Sequence, residues 1–205
     1  MIDILETLKH VGAILDNDHF VGTSGAHFDT YINKDALYPH IAEVSSVGNA
    51  FAEAHKHLPI DIVAGPALGG IILSQWTAYH LSQLTGRKIL SIYAEKKDDT
   101  LKLTRGYDKL VKEKNVLVVE DLTSTGGSLK QVIEAVQTCG GTVIAASVMV
   151  NKNPDLTSET FAVPFTPLDE INVTLYKEND CVLCKNNTPI NTTIGHGNAF
   201  LASKK

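Results

Sequence analysis

The sequence has little cysteine, no long apolar run and no basic excess, and each shortage narrows the field. Three cysteines in 205 residues are too few, and the wrong parity, for a disulfide framework. A reducing cytoplasm is therefore the expected compartment. No apolar stretch approaches the ~20 residues that span a bilayer, and the N-terminus lacks a basic-then-apolar leader pattern, so no membrane partner is expected. The formal charge of -5 argues against nonspecific nucleic-acid binding, which needs a net basic face. Internal repeats and low-complexity linkers are also missing. What remains, 43% hydrophobic and 20% charged residues, is ordinary for a globular chain, and the length suits one α/β core rather than two.

The most informative stretch is residues 116–128, Val-Leu-Val-Val-Glu-Asp-Leu-Thr-Ser-Thr-Gly-Gly-Ser. Four apolar residues, two acids and a loop of small residues are followed by Leu129, Val132, Ile133 and Val136 at helical spacing. That pattern predicts a buried parallel strand, a tight loop and a helix N-terminus. The loop would offer an anion unpaired N–H groups and the positive end of the helix dipole. Thr123, Ser124, Thr125 and Ser128 add hydroxyls, while Gly126 and Gly127 allow close approach of the backbone. A plain turn with a helix cap at Ser124 or Ser128 is the duller reading. Two successive carboxylates at the end of an inner strand, Glu120 and Asp121, cost too much desolvation to be incidental. A loop that wants phosphate beside acids that want hydroxyls or a metal suits a phosphorylated sugar.

Elsewhere the chain alternates. A first amphipathic helix carries Ile4, Leu5, Leu8, Val11 and Leu15, and residues 19–33 read as an irregular strand or hairpin around Ser24-Gly25. A helix begins near Pro39, with Ile41, Val44, Val47, Phe51, Ala54 and Leu58 on one face; His55 and His57 are expected to face solvent. Residues 60–65 predict a buried strand that enters the glycine turn Gly65-Pro66-Ala67-Leu68-Gly69-Gly70, a candidate pyrophosphate cradle. A four-turn helix closing at Gly86 and a strand over 89–94 follow. Residues 95–114 form a basic excursion holding seven of the eighteen Lys and Arg, with a short strand expected around Leu101 to Leu103. Gly140-Gly141 stops the next helix, and residues 143–150 give a further strand. After Asn151 the chain is rich in Pro, Asn and Thr, so a loop-rich extension with one or two edge strands is expected, its last residues 202–205 fraying.

This alternation predicts a parallel sheet with helices on both faces and both glycine turns at the carboxyl ends of strands, where open α/β sheets bind ligands. Neither Gly-x4-Gly-Lys-Ser/Thr nor Gly-x-Gly-x-x-Gly occurs, which excludes the common nucleotide loops. Cys181-Val-Leu-Cys184 is a single CxxC without a second pair, for which two unmetallated cysteines near the surface are expected, His196 being the histidine weighed as a further ligand. Cys139 is read as packing late in a helix.

Residues 116–128 resemble the thirteen-residue phosphoribosyl-pyrophosphate motif of the type I phosphoribosyltransferases. Four further segments are similar to the orotate phosphoribosyltransferases: 19–31 with its Ser-Gly-Ala-His and Tyr31, 64–70, Tyr93-Ala-Glu-Lys96 with Leu103-Thr-Arg-Gly-Tyr107, and the Cys181-x-x-Cys184 tail with Pro189-Ile-Asn191. The resemblance implies one domain, with a core over about 36–152 and a hood from about 16–35 and 153–205. It implies transfer of phosphoribose from 5-phosphoribosyl 1-pyrophosphate to a nucleobase, orotate foremost, in a homodimer. Glu120 and Asp121 would hold the ribose hydroxyls, 123–128 the 5-phosphate, and 65–69 the pyrophosphate. Lys96 and Arg105 would neutralise the leaving group, and the excursion from Lys96 would close as a lid. Ser24, Gly25, His27, Tyr31 and Lys152 would meet the base. Mg²⁺ would bind mainly through substrate oxygens and water, with no direct protein ligand. Two departures stand out. The Arg-Lys-x-x-Lys-Asp-His-Gly loop of many orotate enzymes is replaced by Glu95-Lys-Lys-Asp-Asp, and Asn151-Lys152 stands where Asp-Arg is usual. The rival readings are a transferase for another pyrimidine or a purine, and a noncatalytic regulator that senses the sugar phosphate. A DNA-binding regulator would carry an extra basic helix-turn-helix, for which the segment before the first helix leaves no room. A sugar-phosphate hydrolase would need a larger cluster of acids.

Overall fold

The computed structural model describes residues 2–22 and 24–204; Lys205, at the end of the tail expected to fray, lies outside them. Helix α1 (Ile4–His10) starts where the Asp3 carboxylate accepts the Glu6 N–H at 2.8 Å, and it buries Ile4 and Leu8. Four two-residue strands follow: β1 (Ile14–Leu15), β2 (Phe20–Val21), β3 (His27–Phe28) and β4 (Tyr31–Ile32). β1 pairs with β4 and β2 with β3, both antiparallel, so the hairpin expected around Ser24-Gly25 is present. Helix α2 (Ile41–His55) buries Val44, Val47 and Phe51 but leaves Ile41 exposed. His55 is buried too, against expectation, because it lies one helical turn after Phe51 on the core-facing stripe.

The main sheet then assembles. β5 (Ile62–Pro66) leads to α3 (Gly69–Thr85), which ends at Gly86 with a φ of 66°. β6 (Leu90–Lys97) turns back at once into β7 (Thr100–Lys102), so much of the basic excursion is a hairpin rather than a loop. Its turn residues Asp98 and Asp99 have φ of 52° and 62°, the left-handed pair a tight hairpin requires. After α4 (Tyr107–Leu110) come β8 (Asn115–Thr123), α5 (Gly127–Thr138), β9 (Thr142–Asn151), α6 (Ser158–Phe161) and β10 (Phe165–Glu170). The order across the sheet is β10-β9-β8-β5-β6-β7, parallel except for β7. The sheet thus runs past residue 152, because β10 pairs along β9 as its edge strand. Two short helices, α7 (Val182–Lys185) and α8 (Gly197–Ala202), complete the chain.

Unbroken apolar runs make sense here because both faces of the sheet are covered. Successive side chains alternate: Val63, Leu117 and Val119 enter a core with α1, α2 and α3, while Ile62, Ala64, Val116 and Val118 enter a second core with α5. Both cores are closed by the same strands, which fixes the carboxyl ends of β5 and β8 side by side. None of the described helices is long and apolar enough to cross a membrane.

Candidate active site

β5 and β8 are neighbours, and each delivers a glycine loop and then a helix at its carboxyl end. Between the loops lies a cleft of about 430 Å³, lined by Pro66, Ala67, Leu68 and Gly69 on one side and by Glu120, Asp121, Ser128 and Gln131 on the other. α3 and α5 both begin there without a side-chain cap, so first-turn N–H groups of each helix are left for a ligand. The peptide between Ala67 and Leu68 is cis. A second cavity of about 240 Å³ lies alongside, with Phe28, Tyr31, Val173 and Leu175 as apolar walls and Lys152 and Ser124 as polar ones. Lys34 and Leu122 line both spaces, so the two compartments adjoin.

The acids at the end of β8 are held differently. Asp121 accepts the Tyr38 hydroxyl at 2.9 Å and the Lys34 ammonium at 2.9 Å through Oδ2, and the Leu122 N–H at 2.6 Å through Oδ1. Burial opposes the Lys34 charge, yet Asp121, with Asp35 and Glu120 beyond it, holds the ammonium pKa above its ordinary value. Burial and then Asp121 raise the Tyr38 phenol well above its usual range, so it stays a donor. Glu120 makes no ion pair among the described residues; burial, reinforced by Asp121, pushes its carboxyl well above the usual carboxylate range. Gly69 abuts this network. A Cβ added there would overlap Asp121 Oδ2 and Tyr38 Oη and lie 3.0 Å from Asp121 Cγ.

The loop after β8 is braced from outside. The Thr123 carbonyl accepts the Lys152 N–H at 2.8 Å, and the Ser124 carbonyl accepts the Asn153 side-chain amide at 3.1 Å. Thr123 Oγ1 accepts the Gly126 N–H at 3.1 Å, and the Thr125 hydroxyl faces the Gly127 N–H at 3.4 Å. Gly126 has a φ of 76°, and a Cβ there would lie 2.8 Å from the Phe161 ring. Tying these two carbonyls back keeps their negative ends engaged, as an anion loop needs.

The residues singled out from sequence do not all converge. Gly65 ends within β5, behind the loop 66–69 that lines the cleft. Lys96 lines the cleft from β6, where it pairs with Asp99 at 3.1 Å. Arg105 is not on the cleft wall; it bonds Glu95 at 3.0 Å, and Thr104 also donates to Glu95. The Thr104 bond and then Arg105 lower the Glu95 carboxyl pKa. Tyr31 and Lys152 line the smaller cavity, whereas Ser24 and Gly25 sit at the hairpin turn away from it. His27 also departs from its expected place: its ring is fully buried beside His19 and two cysteines. Sequence reasoning missed Lys34 and Tyr38. Tyr38 lies 83 residues from Asp121, and neither residue carries a local motif.

Comparison with known proteins settles the family. A family model described as the phosphoribosyl transferase domain matches residues 33–171. The chain belongs to the phosphoribosyltransferase family. Among curated relatives, the orotate phosphoribosyltransferase of Caldanaerobacter subterraneus subsp. tengcongensis is 37% identical over 192 residues, covering 93% of each chain. That of Thermoanaerobacter sp. is 38% identical over 191 residues, 92% of this chain and 94% of its own. Among solved structures, orotate phosphoribosyltransferase from Aeropyrum pernix superposes with a TM-score of 0.68 at 23% identity, over 82% of this chain and 94% of its own. The phosphoribosyltransferase fold carries both glycine loops and the acid pair of β8 within the matched span.

Proposed function

We propose that this chain transfers phosphoribose from 5-phosphoribosyl 1-pyrophosphate to orotate, giving orotidine 5′-monophosphate and pyrophosphate. The observation that carries the acceptor is Lys152. It lines the smaller cavity, has no ion pair among the described residues, and burial lowers its pKa. An unpaired cation beside Phe28, Tyr31 and Leu175 suits a flat base that bears a carboxylate. Lysine makes a point contact there instead of the planar fork an arginine would make. Two relatives at 37% and 38% identity are named for the same reaction.

In this reading Glu120 and Asp121 hold the ribose hydroxyls while residues 123–128 and the start of α5 hold the 5-phosphate. The loop 65–69 and the start of α3 take the pyrophosphate, with Lys96 supplying positive charge as the bond from C1 to oxygen breaks and a base nitrogen bonds to C1. Lys34 holds Asp121 in place at the junction of the two compartments. The protein contributes orientation, charge placement and exclusion of water, and no covalent nucleophile. The acid pair and the hydroxyl-rich loop are hard oxygen donors, which fit Mg²⁺ held through substrate and water. Bound there, Mg²⁺ would neutralise pyrophosphate oxygens. The reading extends to a cytoplasmic homodimer, for which the exposed Leu68 of the first loop and Ile41 of α2 are apolar surface a second copy would cover.

The deciding experiment supplies the sugar donor, Mg²⁺ and each nucleobase in turn and follows pyrophosphate release. Release with orotate is expected. Turnover with uracil or a purine alone would overturn the acceptor, and tight donor binding without turnover of any base would leave a sensor instead of an enzyme.

A further inference from the structure

Outside the cleft, four side chains with metal-binding atoms meet where the two ends of the chain come together. His19 precedes β2, His27 opens β3, and Cys181 and Cys184 flank the start of α7. One ligand atom from each lies within 4.8 Å of all the others. His19 Nε2 is 2.7 Å from His27 Nδ1, Cys184 Sγ is 3.4 Å from His27 Nδ1, and both sulfurs are 3.8 Å from His19 Nε2. A tetrahedral zinc ion with ordinary Zn–N and Zn–S bonds needs ligand-to-ligand edges of about 3.3–3.8 Å. The three contacts to sulfur already match, the two nitrogens must part by about 0.6 Å, and no pair of ligand atoms stands more than 4.8 Å apart.

The hydrogen bonding argues for a cation as well. His19 Nδ1 faces the Thr188 carbonyl at 2.8 Å, so it carries the proton and leaves Nε2 bare. That bare nitrogen points at His27 Nδ1. If His27 Nδ1 carries its proton, the lone pair falls on His27 Nε2, which is buried with no partner. If it does not, two lone pairs face each other at 2.7 Å. A metal ion between them removes the facing lone pairs: each imidazole ligates while neutral, and the second nitrogen of His19 is fixed by a carbonyl, as metal-bound histidines commonly are, while His27 keeps its proton on the buried Nε2.

We propose that His19, His27, Cys181 and Cys184 form a structural Zn²⁺ site that clamps the N-terminal hairpin to the C-terminal tail. On binding, the two thiols release their protons to solvent, and the resulting complex of two thiolates and two neutral imidazoles carries no net charge. Neutrality suits the position, since His19, His27 and Cys181 are buried and the Phe200 ring stands edge-on to His27 at 4.9 Å. A set of two sulfurs and two nitrogens selects zinc over Mg²⁺ or Ca²⁺. The sequence supplied the CxxC, but its partners are His19 and His27; His196 is not in the cluster.

The clamp also acts on the neighbouring cavity. His27 exchanges backbone hydrogen bonds with Tyr176 at 2.9 and 2.8 Å, and the adjacent residues Phe28 and Leu175 are walls of the compartment assigned to the base. Zinc would therefore hold the roof of that compartment, a consequence that rests on the proposed acceptor site, whereas the metal site does not.

The test begins with metal content. The full chain, purified under reducing conditions without chelator, should hold about one zinc per chain, and Co²⁺ exchange should give the intense visible bands of a tetrahedral thiolate site. The C181S/C184S double variant should retain less than a tenth of that metal. Should the variant not fold, the wild-type chain titrated with Zn²⁺ after chelation, with free thiols counted, gives the same answer. Absence of stoichiometric zinc both as purified and after reconstitution would overturn the site, as would full zinc retention by the double variant or a Cys181–Cys184 disulfide in its place. Stripping the metal should raise the orotate KM roughly tenfold and change donor affinity less than twofold. An unchanged KM with stoichiometric zinc would overturn the roof role alone, and metal content reads the site whatever the acceptor proves to be.

Discussion

Gly69→Ala puts a single methyl group where the structure leaves no room. The added carbon would overlap both Asp121 Oδ2 and Tyr38 Oη, two atoms that bond each other at 2.9 Å. Gly69 is fixed at the first turn of α3 and buried, so the side chains must give way instead of the backbone. Relieving the overlap moves the Asp121 carboxylate by roughly 1 Å, enough to cost on the order of 100-fold when a group must meet the sugar in a set geometry. Overpacking of this kind also costs about 1–3 kcal/mol, which in a chain of this size lowers Tm by roughly 2–10 °C. The assay pairs donor titration and kcat/KM with a thermal melt. Adding Tyr38→Phe removes one of the two clashing oxygens, so the double variant should be less impaired than the separate losses predict. Donor affinity and kcat/KM within twofold of wild type for Gly69→Ala would refute the placement of the ribose anchor at Asp121.

Three further outcomes follow from the same geometry. Lys152→Ala should lower kcat/KM for orotate by roughly 10- to 100-fold, the value of a charged hydrogen bond, with donor affinity unchanged and partial recovery in Lys152→Arg; an equal loss with a base lacking the carboxylate would contradict the assignment. Burial, with His57 adding to it, lowers the His55 pKa to about 4, below the 6.5 of an exposed histidine. Unfolded chains then take up a proton that folded ones refuse, so stability falls as pH drops from about 6.5 towards 4, by at most roughly 3 kcal/mol. Denaturant titrations at pH 7 and 4.5 should show a smaller acid loss in His55→Leu than in wild type, and identical losses would mean the ring is solvated. Lys96→Ala should reduce turnover roughly tenfold while leaving Tm in place; a matching fall in Tm would assign Lys96 to the β6–β7 hairpin instead.

The parallel sheet and both glycine loops were legible because they depend on local pattern. Apolar runs mark strands covered on both faces, and Glu120-Asp121 followed by a hydroxyl and glycine loop needs no distant residue to be recognised. What the sequence hid is what long-range packing decides. His55 looked exposed because histidine is polar, yet one turn after Phe51 it had to enter the core. Lys34 and Tyr38 come from a segment without regular periodicity and meet Asp121 only once α2 is docked. The CxxC looked incomplete because its two partners stand more than 150 residues away. Arg105, named by its segment, stands against Glu95 and off the cleft wall, a placement no local pattern announces.

The joining of the two chain ends also sets an order of events. The bond from His19 to the Thr188 carbonyl spans 169 residues, and Asn191 donates to Asp18 across 173. Contacts of such separation form late, because closing so long a loop is entropically costly until the sheet between them has folded. In the metal-free chain they are also the natural first contacts to open. Amide exchange in β2, β3 and the segment around Tyr176 should therefore report a cooperative unit that unlocks while β5, β8 and β9 stay protected. The hood and the sheet would then be separable in stability though continuous in structure, and entry of the base would be timed by the weaker of the two.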